Sequence, residues 1–252
     1  MKSIDLNCDM GEIPQAIQDG TQESLMPSLT SVNIACGGHA GDEETMTATI
    51  QQALRWKLAV GAHPGYADRA NFGRLALNLP PQAVSESIFE QVRAFADVAA
   101  RCGARFVHVK PHGELYNQAV RNRALAQAIA NGVAKWGRGV VLVGLAGSAM
   151  LDVFRDSGFD VAAEAFADRR YEPDGTLRSR KFPDALLHNP EDAAQQALRL
   201  VEKGTVIASD GSEVAVSAQT ICIHGDTPGA PAIAAAVART LRAADITLRA
   251  LF

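Results

Sequence analysis

Imidazoles, carboxylates, amides and one lysine recur along this chain in small clusters: Asn7, Asp9 and Glu12; Asn33 and His39; His63; Lys110, His112 and Glu114; Glu164 and Asp168; His224 and Asp226. Imidazole and carboxylate side chains move protons near neutral pH or hold a divalent cation through nitrogen and oxygen, and a lysine among them offers a fixed positive charge to a developing oxyanion or a phosphate. Asp9, His39, His63, Lys110, His112 and Glu114 are therefore the candidate catalytic set, with the division of acid, base and electrostatic roles left open. Asn7, Glu12, Asn33, Glu164, Asp168, Arg169, His224 and Asp226 are candidates for holding substrate, and Arg169 or Arg170 could clamp a carboxylate. Asp9, His39, His63 and His112 could bind a divalent metal, with neighbouring carboxylates behind them. Their spacing alone proves no metal, because the segments that carry them are far apart in the chain. For any single histidine, a satisfied buried polar group is an equally good reading; for all four of His39, His63, His112 and His224 together it is a poor one. Asp42, placed before a helical stretch, reads as a helix cap.

Each cluster stands at or just beyond the end of a short apolar segment. Seven such segments, at 3–8, 32–36, 58–62, 105–109, 140–145, 161–166 and 220–224, read as strands covered on both faces. Between them run residues of helical period: Met46, Ile50, Ala53, Leu54 and Lys57; Val84, Ile88, Val92, Phe95 and Ala99; Leu125, Ile129, Val133 and Trp136. Such alternation implies parallel strands joined by right-handed crossovers, and 252 residues suit one α/β barrel domain over 1–252. Side chains alternate across a strand, so Asp5, Asn7 and Asp9 share a face opposite Ile4 and Leu6. The same split sets His108, Lys110 and His112 against Val107 and Val109, and Cys222, His224 and Asp226 against Ile221 and Ile223. Polar faces then point into the barrel, and its C-terminal mouth gathers His39, His63, His112 and His224, four of the six histidines. Gly37, Gly38, Gly61 and Gly225 would serve tight turns or let backbone approach a ligand. Cys8 and Cys36 flank the mouth, but alternation turns them to the helix layer, where packing is their role.

Two stretches break the alternation. Asp210-Gly211, between β-favouring residues over 205–216, predicts a tight hairpin on the rim. The segment 168–186 is rich in Arg, Asp, Gly and Pro, with few apolar anchors, and reads as a lid over a ligand.

Composition removes several classes of function. A hydrophobic fraction of 47% with 21% charged residues is that of a globular protein, and a net charge of −4 gives no field for nucleic acid or an acidic membrane. Residues 1–9 lack the apolar run of a secretory signal, and no segment approaches the ~20 residues that span a bilayer. Four scattered cysteines, without a Cys-x-x-Cys pair, fit a cytoplasmic protein with small molecules and proteins as partners. No phosphate-binding Gly-x-x-x-x-Gly-Lys-Ser/Thr, dinucleotide-binding Gly-x-Gly-x-x-Gly or Gly-x-Ser-x-Gly motif is present. Leu248, Leu251 and Phe252 could meet another protomer, making a homo-oligomer possible, though packing at the barrel's base is the simpler role.

At the same clusters the sequence resembles the LamB/YcsF family. The segments 5–12 (Asp5-Leu6-Asn7-Cys8-Asp9-Met10-Gly11-Glu12), 33–42, 61–65, 109–117, 164–171 and 223–228 are similar to family blocks and fall in family order. The resemblance implies a seven-stranded parallel (β/α) barrel related to the glycoside hydrolase/deacetylase superfamily. It further implies a role in 5-oxoprolinase: opening the lactam of 5-oxo-L-proline to L-glutamate, with ATP as co-substrate and the B and C subunits of that enzyme as partners. Rival readings are a metal-dependent amidohydrolase or carbohydrate deacetylase acting alone, and a substrate-binding subunit without chemistry of its own. One departure is visible: Pro183-Asp184-Ala185 stands where the family reads Pro-Gly-Ala.

Overall fold

Short runs of Val, Ile, Ala and Leu become strands here because both of their faces find cover. The structure, a computed structural model, describes residues 2–251. Its strands are β1 (Ser3–Met10), β2 (Ser31–Ala35), β3 (Ala59–His63), β4 (Phe106–Val109), β5 (Val141–Leu145), β6 (Val161–Phe166), β7 (Thr205–Ile207), β8 (Glu213–Ala215), β9 (Thr220–Ile223) and β10 (Thr247–Leu248). The helices are α1 (Pro14–Gln18), α2 (Glu43–Arg55), α3 (Pro81–Arg101), α4 (Gly113–Ala119), α5 (Arg123–Trp136), α6 (Ala149–Asp156), α7 (Pro190–Lys203) and α8 (Ala230–Ala243). β1 through β6 and then β9 run parallel in that order, and β9 pairs again with β1, closing a seven-stranded barrel. All seven expected strands are present, with ends shifted by at most two residues. β10 adds to the start of β1, where Ser3 pairs with Thr247.

The helices form where the periodic stripes fall. Asp42 caps α2, its carboxylate accepting from the Thr45 amide while the Thr45 hydroxyl accepts from the Asp42 amide. Along α3, Val84, Ile88, Val92, Phe95 and Ala99 are all buried against the barrel. The stripe on α2 is shorter than expected: Leu54 is exposed, and Lys57 lies past the helix end in a left-handed conformation, φ 57°. Trp136 at the end of α5 is likewise partly exposed, with its ring on Phe106. The hairpin is as expected, β7 pairing antiparallel with β8 around Asp210-Gly211.

Outward residues of β1, Leu6, Cys8 and Met10, join the apolar layer under the helices. Cys8 and Cys36 are both buried there, and burial pushes the Cys36 thiol up to about 12 and that of Cys8 well above its ordinary value, so neither supplies a thiolate. All four cysteines are free. Gly61 departs from its expected role: it sits inside β3, not in a turn, and a Cβ there would fall 2.3 Å from the His108 ring. A glycine is what admits an imidazole to the barrel interior at that level. No helix of the described residues is long and apolar enough to cross a membrane. Leu248 and Leu251 are half-buried; Met1 and Phe252 lie outside the described residues.

Candidate active site

The barrel interior is a ladder of polar side chains, built rung by rung from alternate strand positions. At its base the buried Asp5 carboxylate accepts from Thr30, Ser31 and Thr220. One rung higher, the Asn7 amide nitrogen donates to Thr220 and to Glu164, at 2.7 and 3.1 Å, and the Asn7 carbonyl accepts from Asn33 at 2.8 Å. Asn33 also donates to Asp9 at 2.8 Å and accepts from His108 Nε2 at 2.7 Å. The Lys110 ammonium tops the ladder, 2.9 Å from both Asp9 and Glu164 and 3.1 Å from Cys222 Sγ. Burial alone would pull this lysine down, but Asp9, Cys222 and Glu164 outweigh it and hold it well above its ordinary value. Burial pushes Asp9 up, and His63 and Lys110 together bring it well below the usual carboxylate range. Lys110 is therefore a fixed cation and Asp9 a fixed anion.

Beside this pair, Glu12, His39, His63 and His112 converge, each offering one ligand atom within 4.8 Å of the others. Glu12 Oε1 is 3.0 Å from His39 Nε2, 3.1 Å from His112 Nδ1 and 3.7 Å from His63 Nε2. Outer nitrogens fix two of the rings. His63 Nδ1 meets the Lys110 carbonyl at 2.7 Å and His112 Nε2 meets the Phe72 carbonyl at 2.9 Å, so both must donate outward. In the neutral rings this leaves His63 Nε2 and His112 Nδ1 as lone pairs, 3.0 Å apart and aimed at each other and at a carboxylate. Burial lowers His112 and carries His39 down to about 3, so these two rings are neutral at physiological pH. Burial raises Glu12, but its contacts with His112 and His39 more than reverse this and keep it ionised. Three imidazole nitrogens converging on one carboxylate are a donor set that a divalent cation can take once their inward protons leave, and the mixed nitrogen and oxygen donors fit a first-row ion such as zinc. The outward hydrogen bonds of His63 and His112 are the supports that metal-binding imidazoles use.

His224 lines the same cavity of about 560 Å³ as Glu12, His63 and His112. Asp168 grips it, both oxygens lying 2.9 and 3.1 Å from Nδ1 and one accepting from the His224 amide. His224 Nε2 has no protein partner among the described residues, and the ring stacks on Phe166 at 5.4 Å. At the rim, Asp226 holds Arg74 and, at 3.4 Å, Arg180. Burial raises the Asp226 carboxyl, and His224, Arg180 and Arg74 bring it below its ordinary value.

The sequence profile of the LamB/YcsF family matches residues 4–252. The chain belongs to the LamB/YcsF family. It is 49% identical over 249 residues to the A subunit of 5-oxoprolinase from Chloroflexus aggregans, covering 99% of each chain. With the corresponding 5-oxoprolinase chain of Methylococcus capsulatus it shares 44% identity over 250 residues, 99% of this chain and 96% of that one. Among solved structures, the lactam utilization protein of Thermus thermophilus matches with a TM-score of 0.91 at 39% identity, covering 100% of both chains. A family 4 carbohydrate esterase from Streptomyces lividans, at 11% identity and TM-score 0.53, covers 100% of this chain and 93% of its own and shares the fold alone.

Within this LamB/YcsF barrel the expected site residues fall into three tiers. Asp9, Glu12, His63, Lys110, His112 and His224 line the cavity, as do Glu114, Arg169 and Asp226 on its walls and rim. Asn7, Asn33, Glu164 and Asp168, expected to hold substrate, sit behind that lining and orient Lys110, Asp9 and His224. His39 is buried behind His112, the two rings stacked at 3.5 Å. The carboxylate among the three imidazoles is Glu12; Asp9, expected as a ligand, is 3.3 Å from His63 but tied to Lys110. Glu114 stands apart from that cluster, its carboxylate meeting Asn117. Phe72 and Arg74 escaped the sequence reading. Phe72 orients His112 through its carbonyl and carries the Arg74 guanidinium 4.8 Å above its ring, yet both lie in an irregular segment with no period to mark them.

Proposed function

We propose that this chain, acting as one barrel domain in the cytoplasm, is the A component of an ATP-dependent 5-oxoprolinase. The substrate is 5-oxo-L-proline, the product L-glutamate, and ATP is cleaved to ADP and phosphate with the B and C subunits as partners. The observation that supports this most is 43–49% identity, over nearly the full length, to proteins named as the A subunit of 5-oxoprolinase.

The site suits the chemistry. Opening a lactam needs positive charge near the amide oxygen, an attacked carbon shielded from bulk water, and a proton for the departing nitrogen. Lys110, held cationic by Asp9 and Glu164, supplies the charge. His224, its Nδ1 fixed by Asp168, presents Nε2 for proton transfer. Phosphorylation of the amide oxygen by ATP activates the carbon for attack by water. A divalent cation held by Glu12, His39, His63 and His112 would add Lewis acidity toward a carbonyl oxygen, a phosphoryl oxygen or a water.

A second reading, a metal-dependent amidohydrolase acting alone, draws on that same donor cluster. One assay separates them. Glutamate should form from 5-oxo-L-proline only when this chain, the B and C subunits and ATP are all present. Formation by the chain alone without ATP would overturn the coupled reading in favour of the second. In the three-component mixture, Lys110→Ala and His112→Ala should each lower the rate by about 100-fold or more. Unchanged rates would give this chain a binding role without chemistry.

A further inference from the structure

Buried guanidinium groups normally face carboxylates, because an unpaired buried charge costs several kcal/mol. Arg169 does not. It follows β6, is 5% exposed and lines the cavity, yet it forms no ion pair with any carboxylate among the described residues. Its Nη2 donates to the Arg178 carbonyl at 2.6 Å, and its Nε is buried without a partner. Asp168, its neighbour in sequence, is committed to His224 and Thr227. Arg180, from the same loop, also lines the cavity. Its only carboxylate contact among the described residues is the 3.4 Å approach to Asp226, through the oxygen that Arg74 also holds. Burial, and next the charge of Arg180, bring the Arg169 guanidinium down to about 10. Two like charges thus converge on one hollow with a single shared carboxylate oxygen at its rim.

We propose that Arg169 and Arg180 form a seat for an oxyanion of the ligand, either the carboxylate of a lactam acid or a phosphoryl group delivered from a nucleotide. The hydroxyl of Ser179, which lines the same cavity and accepts from the Lys181 amide, adds a donor. Asp9 and Glu12, which also line the cavity and are both held ionised, repel such a group. A lactam acid seated this way puts its carboxylate against the loop and turns its ring carbonyl to Lys110. The seat follows from the geometry; its occupant being 5-oxo-L-proline rests on the proposed function.

Calorimetric titration of the full chain, and of its complex with the B and C subunits, tests this with three probes: 5-oxo-L-proline, uncharged 2-pyrrolidinone and inorganic phosphate. The wild type should bind 5-oxo-L-proline roughly tenfold or more tighter than 2-pyrrolidinone. Arg169→Gln and Arg180→Gln should erase that difference while leaving 2-pyrrolidinone unaffected. Should Arg169→Gln fail to fold, Arg180→Gln on the partly exposed side chain decides, together with a ligand-induced shift of the Arg169 Nε–H resonance in the wild type. Phosphate binding that the variants abolish, without a carboxylate preference, assigns the seat to a phosphoryl group and keeps it. If 5-oxo-L-proline fails to bind while phosphate binds through these arginines, the substrate assignment falls and the seat stands. Anion binding indifferent to both substitutions, or no anion binding at all, overturns the seat.

Discussion

Burial keeps the imidazoles of His39 and His108 neutral, each held down to about 3. In the unfolded chain they titrate near their ordinary value of 6.5. Between these limits the unfolded state binds protons that the folded state refuses, so stability falls as pH drops, by about 1.4 kcal/mol per proton per pH unit. Asp9 and Glu12, depressed in the folded state, act in the same direction at lower pH: their contribution is complete above about pH 5 and is lost as they protonate. Urea midpoints of the metal-free protein should therefore decline steadily from pH 7 to pH 5. A flat profile would show that these rings are not held neutral. The donor cluster makes a second claim at this scale. Zinc at about 100 times its dissociation constant should stabilise the metal-free chain by roughly 2.7 kcal/mol, with one ion per chain by elemental analysis. Glu12→Gln and His39→Ala should remove both signals; a melting shift that persists in them would put the ion elsewhere.

The loop between β6 and α7 was expected to be a lid with few anchors, and it is better fastened than that. Tyr171 is fully buried, and its hydroxyl accepts from the Phe166 amide at 2.7 Å. Arg169 pairs with Leu186, and Tyr171 with Leu177, in isolated bridges, while the hairpin's Ser209 donates its amide to the Tyr171 carbonyl. Asp184 accepts from Arg178 Nε at 2.8 Å, an ion pair inside the loop. Part of the loop's basic excess is thereby neutralised, leaving Arg169, Arg180 and Lys181 as the loop cations that line the cavity. Tyr171→Phe strands the Phe166 amide and should cost about 1–3 kcal/mol. Tryptic cleavage after Lys181 should then quicken; an unchanged rate would mean that the loop is held elsewhere. The strands were legible because a buried parallel strand needs an unbroken apolar run, and the facing of Asn7, Asp9 and Lys110 followed from alternation. Glu12 was harder to place. It lies two residues beyond β1, where no period applies, and only the folded chain shows that it, not Asp9, joins the three imidazoles.

At the scale of the whole molecule, the barrel separates two kinds of interior. Most apolar packing lies in the layer between strands and helices, while the lumen holds a network of hydrogen-bonded polar side chains that ends in the charged floor of the cavity. A composition near average gave no hint of this division, because it sums both layers. The division was readable only where alternation could be followed, at β1, β4 and β9. β1 also joins β2, β9 and β10 and carries Asn7 and Asp9, and its pairing with β9 spans most of the chain: Asn7 and Thr220 are 213 residues apart. During synthesis on the ribosome β1 therefore waits, with one hydrogen-bonding edge open, until β9 has left the exit tunnel. No shorter nascent chain can close the barrel. Until then the emerging chain offers an adhesive strand edge to chaperones or to its neighbours on the same polysome.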